Sequence, residues 1–441
     1  MDVKDLIITP IVIIIVIGVA YAIRPKVCTP ATQRYFIPAL GLKIIGALAI
    51  ALIYEFYYQG GDAVNYYYHG TTPIWEAFLD TPSKAFRLIL GNGRHQSELF
   101  EYSSRIWYYT DLSSYFVVRV GGIFSLITFN TWTSISVLFA VFSFSGMWTM
   151  YRAFLRFYPL QHFPFAIALF FIPSVVFWGS GMMKDTITLA ALAWLTSAII
   201  GVFFQRKHVF LYSLLAITMV FTIYSIKLYI LMCFLPAAII WVGFDWFTKI
   251  QRTEIRAIIF PLALLLVAGL SYLAIKQVGE GSARYSIENL SQAAEVTARW
   301  INYVSEVEGG SSYTLGDFDY SLFGLTKKFF PAIFVSLFQP FLWQASNPVM
   351  LISALESFAT LVITLWVFYR GGFREFKPLL KNNSMFLFVL FFSLAFAAAV
   401  GFSTYNFGSL VRYKIPLLPY YGIALSLLYH YAKRRQAIPL S

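Results

Sequence analysis

The sequence predicts an all-α polytopic membrane protein, and three observations predict it. Apolar residues make up 59% of the 441-residue chain and charged residues only 12%, half of the roughly 25% that soluble domains carry. Mean hydropathy is +0.68. Runs such as Ile7 to Ile23, Ile187 to Phe204 and Met385 to Phe402 approach the roughly 20 residues that cross a hydrocarbon core. Lipid offers backbone amides no partner, so these runs must close their own hydrogen bonds as helices. A barrel would need strands of about 10 alternating residues, a pattern the chain does not show.

Taken in order, about eleven spans are expected, near 6–23, 37–58, 131–151, 162–179, 186–204, 209–225, 228–247, 257–275, 347–369, 385–403 and 413–432. Basic clusters mark their ends: Arg152/Arg156, Arg206/Lys207, Lys249/Arg252/Arg256, Arg370/Arg374/Lys377 and Lys433/Arg434/Arg435. This is the positive-inside pattern. The net charge of +12 therefore reports topology and attraction to anionic membrane lipids, and nucleic acid is not the expected partner. With these clusters cytoplasmic, loops 59–130, 180–185, 276–346 and 404–412 fall outside.

The alternation closes only if segments 113–130 and 329–343 do not cross. The first carries Arg119 and a glycine pair at its centre, and a central arginine costs roughly 2.5–3.5 kcal/mol on insertion scales. The second is short and interrupted by Pro331 and Pro340. Both are expected as interfacial or re-entrant helices. Residues 1–441 then form a single integral membrane domain with a large first external loop, 59–130, whose WEAFLDTPSKAFRLIL stretch reads as a surface helix. A second external loop spans 277–345. Asp2 and Asp5 interrupt the charged region of a cleavable signal, so the first span is expected to be retained. Cys28 and Cys233 imply no disulfide framework.

Three stretches carry candidate chemistry. In GGDAVNYYYHG, residues 60–70, the glycines allow a sharp turn that sets Asp62 close to the outer membrane surface. A carboxylate there could act as a general base on an acceptor hydroxyl or bind a divalent cation. Tyr66, its neighbouring tyrosines and His69 could stack on a sugar or hold a phosphate. Against this, Asp62 could simply cap a helix while the tyrosines form an aromatic belt.

In PSVVFWGSGMMKDTITL, Lys184 could bind a phosphate as a point charge, and Asp185 is either a second acidic group or the cap of the next helix. In STYNFGSLVRYKIPLLPYY, Arg412 and Lys414 run against the positive-inside rule. An anionic head group would explain them, with snorkelling to the interface as the alternative. Lys43, Glu55 and Glu356 lie within spans and are expected to face the protein interior. Glu306, Glu308, Asp317 and Asp319 could bind cations, but read better as a solvated loop. No P-loop, HExxH, GxSxG, zinc-type spacing or dinucleotide fingerprint occurs, so no cofactor is indicated and no metal ligand set is assigned.

The order of these stretches resembles the GT-C superfamily of polytopic membrane glycosyltransferases, in its polysaccharide-assembly branch. The likeness rests on four matches. These are GGDAVNYYYHG opening the first large loop, the Arg119-containing lead VVRVGGIFSLITF into a span that closes with Arg, PSVVFWGSGMMKD, and NFGSLVRYKIPLLP, similar to a C-terminal Asn-Gly…Arg-Tyr-Arg…Pro pattern. It covers roughly residues 55–205 and 400–430. An extra N-terminal span and Ala63 in place of a second acidic neighbour depart from the family pattern.

The resemblance implies a sugar moved from a polyprenyl-phosphate-linked donor to a glycan or lipid acceptor with inversion. The reaction would take place on the outer face of a bacterial cytoplasmic membrane. Asp62 and Asp185 would be catalytic, and Lys184, Arg412, Lys414, Tyr66, His69, Asn406 and Arg119 would bind substrate. A transporter or flippase of lipid-linked saccharide, a polysaccharide polymerase and an envelope scaffold are the competing readings.

Overall fold

A computed structural model describes residues 1–248, 303, 313, 315, 322–404 and 406–436. These are mostly helical, with no strand among them. Seven helices among the described residues are long and apolar enough to cross a membrane, so the all-α membrane class stands. The chain forms two compact units, Met1–Leu228 and Tyr229–Ser441.

In the first unit, α1 (Val3–Val27) starts at a capping box, with Asp2 accepting from Val3 and the Asp5 carboxylate accepting from the Asp2 amide at 2.9 Å. Helix α2 (Gln33–Leu52) continues through a π-helical turn to Tyr57. The loop after it folds into α3 (Asp62–Tyr66), α4 (Thr72–Asp80), α5 (Pro82–Leu90) and α6 (Leu112–Ile127). At 16 residues, α6 is about 24 Å long, short of the roughly 30 Å of a hydrocarbon core. Its glycine pair lets neighbours close in: Gly121 lies under Met182 and Thr71, and Gly122 under Ile74 and Ile89.

The core of the first unit is α7 (Trp132–Leu155) against α10 (Lys184–Ile199), both largely buried. Gly146 makes this possible, because a methyl there would sit 2.6 Å from the Ala190 carbonyl. Small residues at a membrane helix interface allow just such backbone approach. Between the two helices, expected span 162–179 is instead two short helices, α8 (His162–Phe170) and α9 (Pro173–Trp178). Pro173 has no amide to continue the ladder, so the chain breaks at Phe171 and Ile172.

Lys43 fastens the chain beyond this break. It is fully buried in the middle of α2, and its ammonium donates to Ser143 Oγ (3.2 Å), the Val175 carbonyl (2.9 Å) and the Gly179 carbonyl (2.8 Å). An ammonium has three donors, and all three are used. Two of the acceptors belong to the C-terminal end of α9, where carbonyls lack helical partners and carry partial negative charge. Lys43 thus faces the protein interior, as expected, and pins the segment leading to Lys184.

Expected spans 209–225 and 228–247 are the two arms of one helix, α11 (Val209–Thr248), whose backbone leaves the helical region at Lys227 (φ −145°, ψ 77°).

In the second unit, Trp241 of the later arm stacks on Phe388 (ring centroids 4.3 Å apart). Helices α12 (Leu322–Phe338), α13 (Pro348–Val367), α14 (Phe373–Asn382), α15 (Ser384–Ser403), α16 (Phe407–Tyr413) and α17 (Leu418–Gln436) complete it. Pro331 does not interrupt its segment as expected. It sits inside the continuous helix α12, which is held to α15 by Ser336 donating to the Ala397 carbonyl at 2.6 Å and by Ala332 backbone lying on Gly401. Only Pro340, after a cis bond from Gln339, lies beyond the helix end. Expected span 413–432 begins with the end of α16 and a turn, and α17 ends in Lys433, Arg434 and Arg435, so it is not among the seven. Span 257–275 and Glu306, Glu308, Asp317 and Asp319 lie outside the described residues.

Candidate functional site

Gly61 adopts φ +101°, and a methyl there would lie 2.8 Å from the Tyr54 ring. Both facts require glycine. The turn delivers Asp62 as the first residue of α3, half-buried, with Gly61 in the cap position. The capping alternative for Asp62 is therefore not what the fold uses. Tyr66 is buried, its ring 5.2 Å from that of Tyr108, whose hydroxyl accepts from Asn65 Nδ2 at 3.4 Å. His69 stacks flat on Trp107 at 3.7 Å, and its carbonyl accepts from the Trp107 amide at 3.1 Å.

The second stretch meets the first through packing. Ala63, Tyr66 and Tyr67 share one buried apolar cluster with Met182, Met183, Ile187 and Ile226. Asp62 adjoins Ala63, Lys184 adjoins Met183, Asp185 lies two residues from Met183 and Ile187, and Lys227 adjoins Ile226 in sequence; of these four, Asp185 and Lys227 pair directly. Lys184 donates to Ser113 Oγ at 2.8 Å and lies 3.8 Å from Asp111 Oδ2. Burial pushes the Asp111 carboxyl up, but hydrogen bonds from Ser114 and Ser113 and the Lys184 charge together hold it below the ordinary carboxylate value.

Asp185 does not cap α10, whose cap position is Met183. Its side chain is 1% exposed and pairs with the Lys227 ammonium, itself 9% exposed, at the break in α11. Sequence reasoning did not single out Lys227. The available signal was a lone cation between apolar arms separated by only two residues, too few to serve as an ordinary loop.

Two further residues are held by backbone carbonyls. The Arg119 guanidinium donates to the Gly91 carbonyl and covers the Tyr115 ring at 4.7 Å, while Tyr115 donates to the Leu88 carbonyl at 2.6 Å. Arg119, half-buried, therefore ties α6 to the end of α5. In the second unit Lys414 is fully buried and donates to Ser357 Oγ (2.8 Å) and the Gln339 carbonyl (3.1 Å). These bonds commit it inward, away from the surface position that a phosphate contact would need. Asn406 caps α16, accepting from Gly408 (2.8 Å) and Ser409 (3.2 Å). Arg412, in the last turn of α16, is half-buried.

Of the proposed residues, Asp62, Tyr66, His69, Lys184 and Asp185 thus belong to the first unit with Arg119, and Asn406, Arg412 and Lys414 to the second. Among the described residues, no group of three His, Cys, Asp or Glu side chains could hold a metal ion. Comparisons with protein-family models, with curated proteins and with solved structures give no match.

Proposed function

We propose that the chain is an inverting membrane glycosyltransferase of GT-C type. It would move a sugar from a polyprenyl-phosphate donor to a glycan or lipid acceptor on the outer face of a bacterial cytoplasmic membrane. The observation that carries this reading is the half-buried Asp62, set by an obligatory glycine turn whose neighbours Ala63 and Tyr66 share one buried cluster with Met183 and Ile187, the residues that flank Lys184 and Asp185. Asp62 takes the acceptor proton, the freed oxygen attacks the anomeric carbon, and the bond to phosphate breaks with the electron pair leaving on the polyprenyl phosphate. Lys184 offsets the charge that develops on the leaving phosphate. Asp185, locked to Lys227, positions the start of α10. The test is transfer from a polyprenyl-phosphate donor in reconstituted membranes. Asp62→Asn should lower the rate about 10²–10⁴-fold, and unimpaired transfer would end the proposal.

One observation favours a second reading, a carrier of lipid-linked saccharide. A buried ion pair at the break of a candidate span is the arrangement by which membrane carriers bind and release charge. Under that reading Asp185→Asn abolishes lipid-linked sugar movement across proteoliposomes while Asp62→Asn leaves it intact.

A further inference from the structure

At the opposite, basic-loop end of the first unit, a cavity of about 360 Å³ opens among the C-terminus of α1, the C-terminus of α7 and the start of α8. Lys26, Arg152, Arg156 and His162 line it, and no acidic residue does. Among the described residues, none of Lys26, Arg152 and Arg156 has a carboxylate within ion-pairing distance. The cations could merely complement the two helix ends. However, each C-terminus presents only about half a negative charge, so two of them offset roughly one of three full positive charges. The surplus calls for an anion.

We propose that this cavity binds a phosphate group. Two cationic forks and an ammonium match a phosphate's oxygens, since guanidinium binds phosphate through paired, charge-assisted hydrogen bonds. The phosphate could arrive on an anionic lipid or as a soluble ester, and the surroundings favour lipid. Leu160 and Phe163, next in sequence to the lining residues Pro159 and His162, and Ile23, one turn before Lys26, are exposed apolar side chains, suited to acyl chains, and basic pockets between helices at the cytoplasmic surface are where anionic head groups bind. The inference is independent of the proposed transferase site.

The test uses the full chain in nanodiscs of phosphatidylcholine, with and without phosphatidylglycerol, followed by native mass spectrometry and thermal unfolding. Phosphatidylglycerol should be retained selectively. Arg152→Gln/Arg156→Gln should weaken that retention about tenfold or more while leaving the unfolding midpoint in phosphatidylcholine unchanged. If inorganic phosphate binds with the same arginine dependence and the lipid does not, the site stands and its ligand is soluble. Equal retention by wild type and variant overturns the proposal, as does a loss of midpoint of the same size in both lipids. Should the double variant fail to fold, the single change Lys26→Gln, at an exposed side chain, carries the same comparison.

Discussion

Replacing Lys227 with methionine should be the most damaging single charge removal in the first unit. The Asp185 carboxylate it pairs with is 1% exposed and the lysine 9%, so neither partner can fall back on water. Breaking a buried pair by removing one member leaves an uncompensated charge and costs about 3–5 kcal/mol. Removing both together should cost far less, because a well-packed apolar pair avoids desolvation altogether. A double-mutant cycle over Lys227→Met, Asp185→Leu and the double variant therefore predicts a coupling energy of about 3 kcal/mol or more. Unfolding in mixed detergent micelles, followed by tryptophan fluorescence, measures each corner. Single-variant losses below about 1 kcal/mol, the range of exposed pairs, or simple additivity would refute the argument that burial sets the energy.

Other consequences are equally direct. Lys43→Met strands two carbonyls and a hydroxyl, so stability should fall by about 3 kcal/mol or more, and amide exchange should quicken over residues 173–183. Gly146→Ala drives a methyl against the Ala190 carbonyl, whereas Gly18 has nothing within 4 Å. The first change should cost about 1–3 kcal/mol by overpacking, and Gly18→Ala, which meets no neighbour and removes a mid-helix glycine, should not lower the unfolding midpoint. Because the Asp111 carboxyl is held below its ordinary value, its ionised form stabilises the fold above the unfolded-state value. That contribution disappears as pH falls through the lowered folded value. Wild type and Asp111→Asn should therefore differ in thermal midpoint at neutral pH and converge in acid.

Hydropathy made the long helices legible, because a run without partners for its amides has only one fold available in lipid. It could not show where a run is cut by local chemistry. Phe171 to Pro173 breaks an apolar stretch that reads as one span, whereas Pro331 stays within a helix whose packing against Ala397 and Gly401 compensates for the lost amide. The candidate site divides along the same line. Gly61 and Asp62 were readable because a turn demands glycine locally. The carbonyl contacts of Arg119 and Lys414 were not, since both depend on residues distant in sequence, Gly91 and Gln339. Lys227 was hidden by its position at the junction of two apolar arms.

The three bonds of Lys43 also bear on how the protein is made. Its acceptors are 100, 132 and 136 residues further along the chain. Ribosomes add about 5–20 residues per second, so roughly 5–20 s pass before even the nearest acceptor has been synthesised. During that interval α2 carries a charge in its middle with no internal partner, at a cost of roughly 2.5–3.5 kcal/mol on insertion scales. The second helix must therefore wait, shielded by the insertion machinery or displaced toward the interface, until α7 and α9 arrive to receive it.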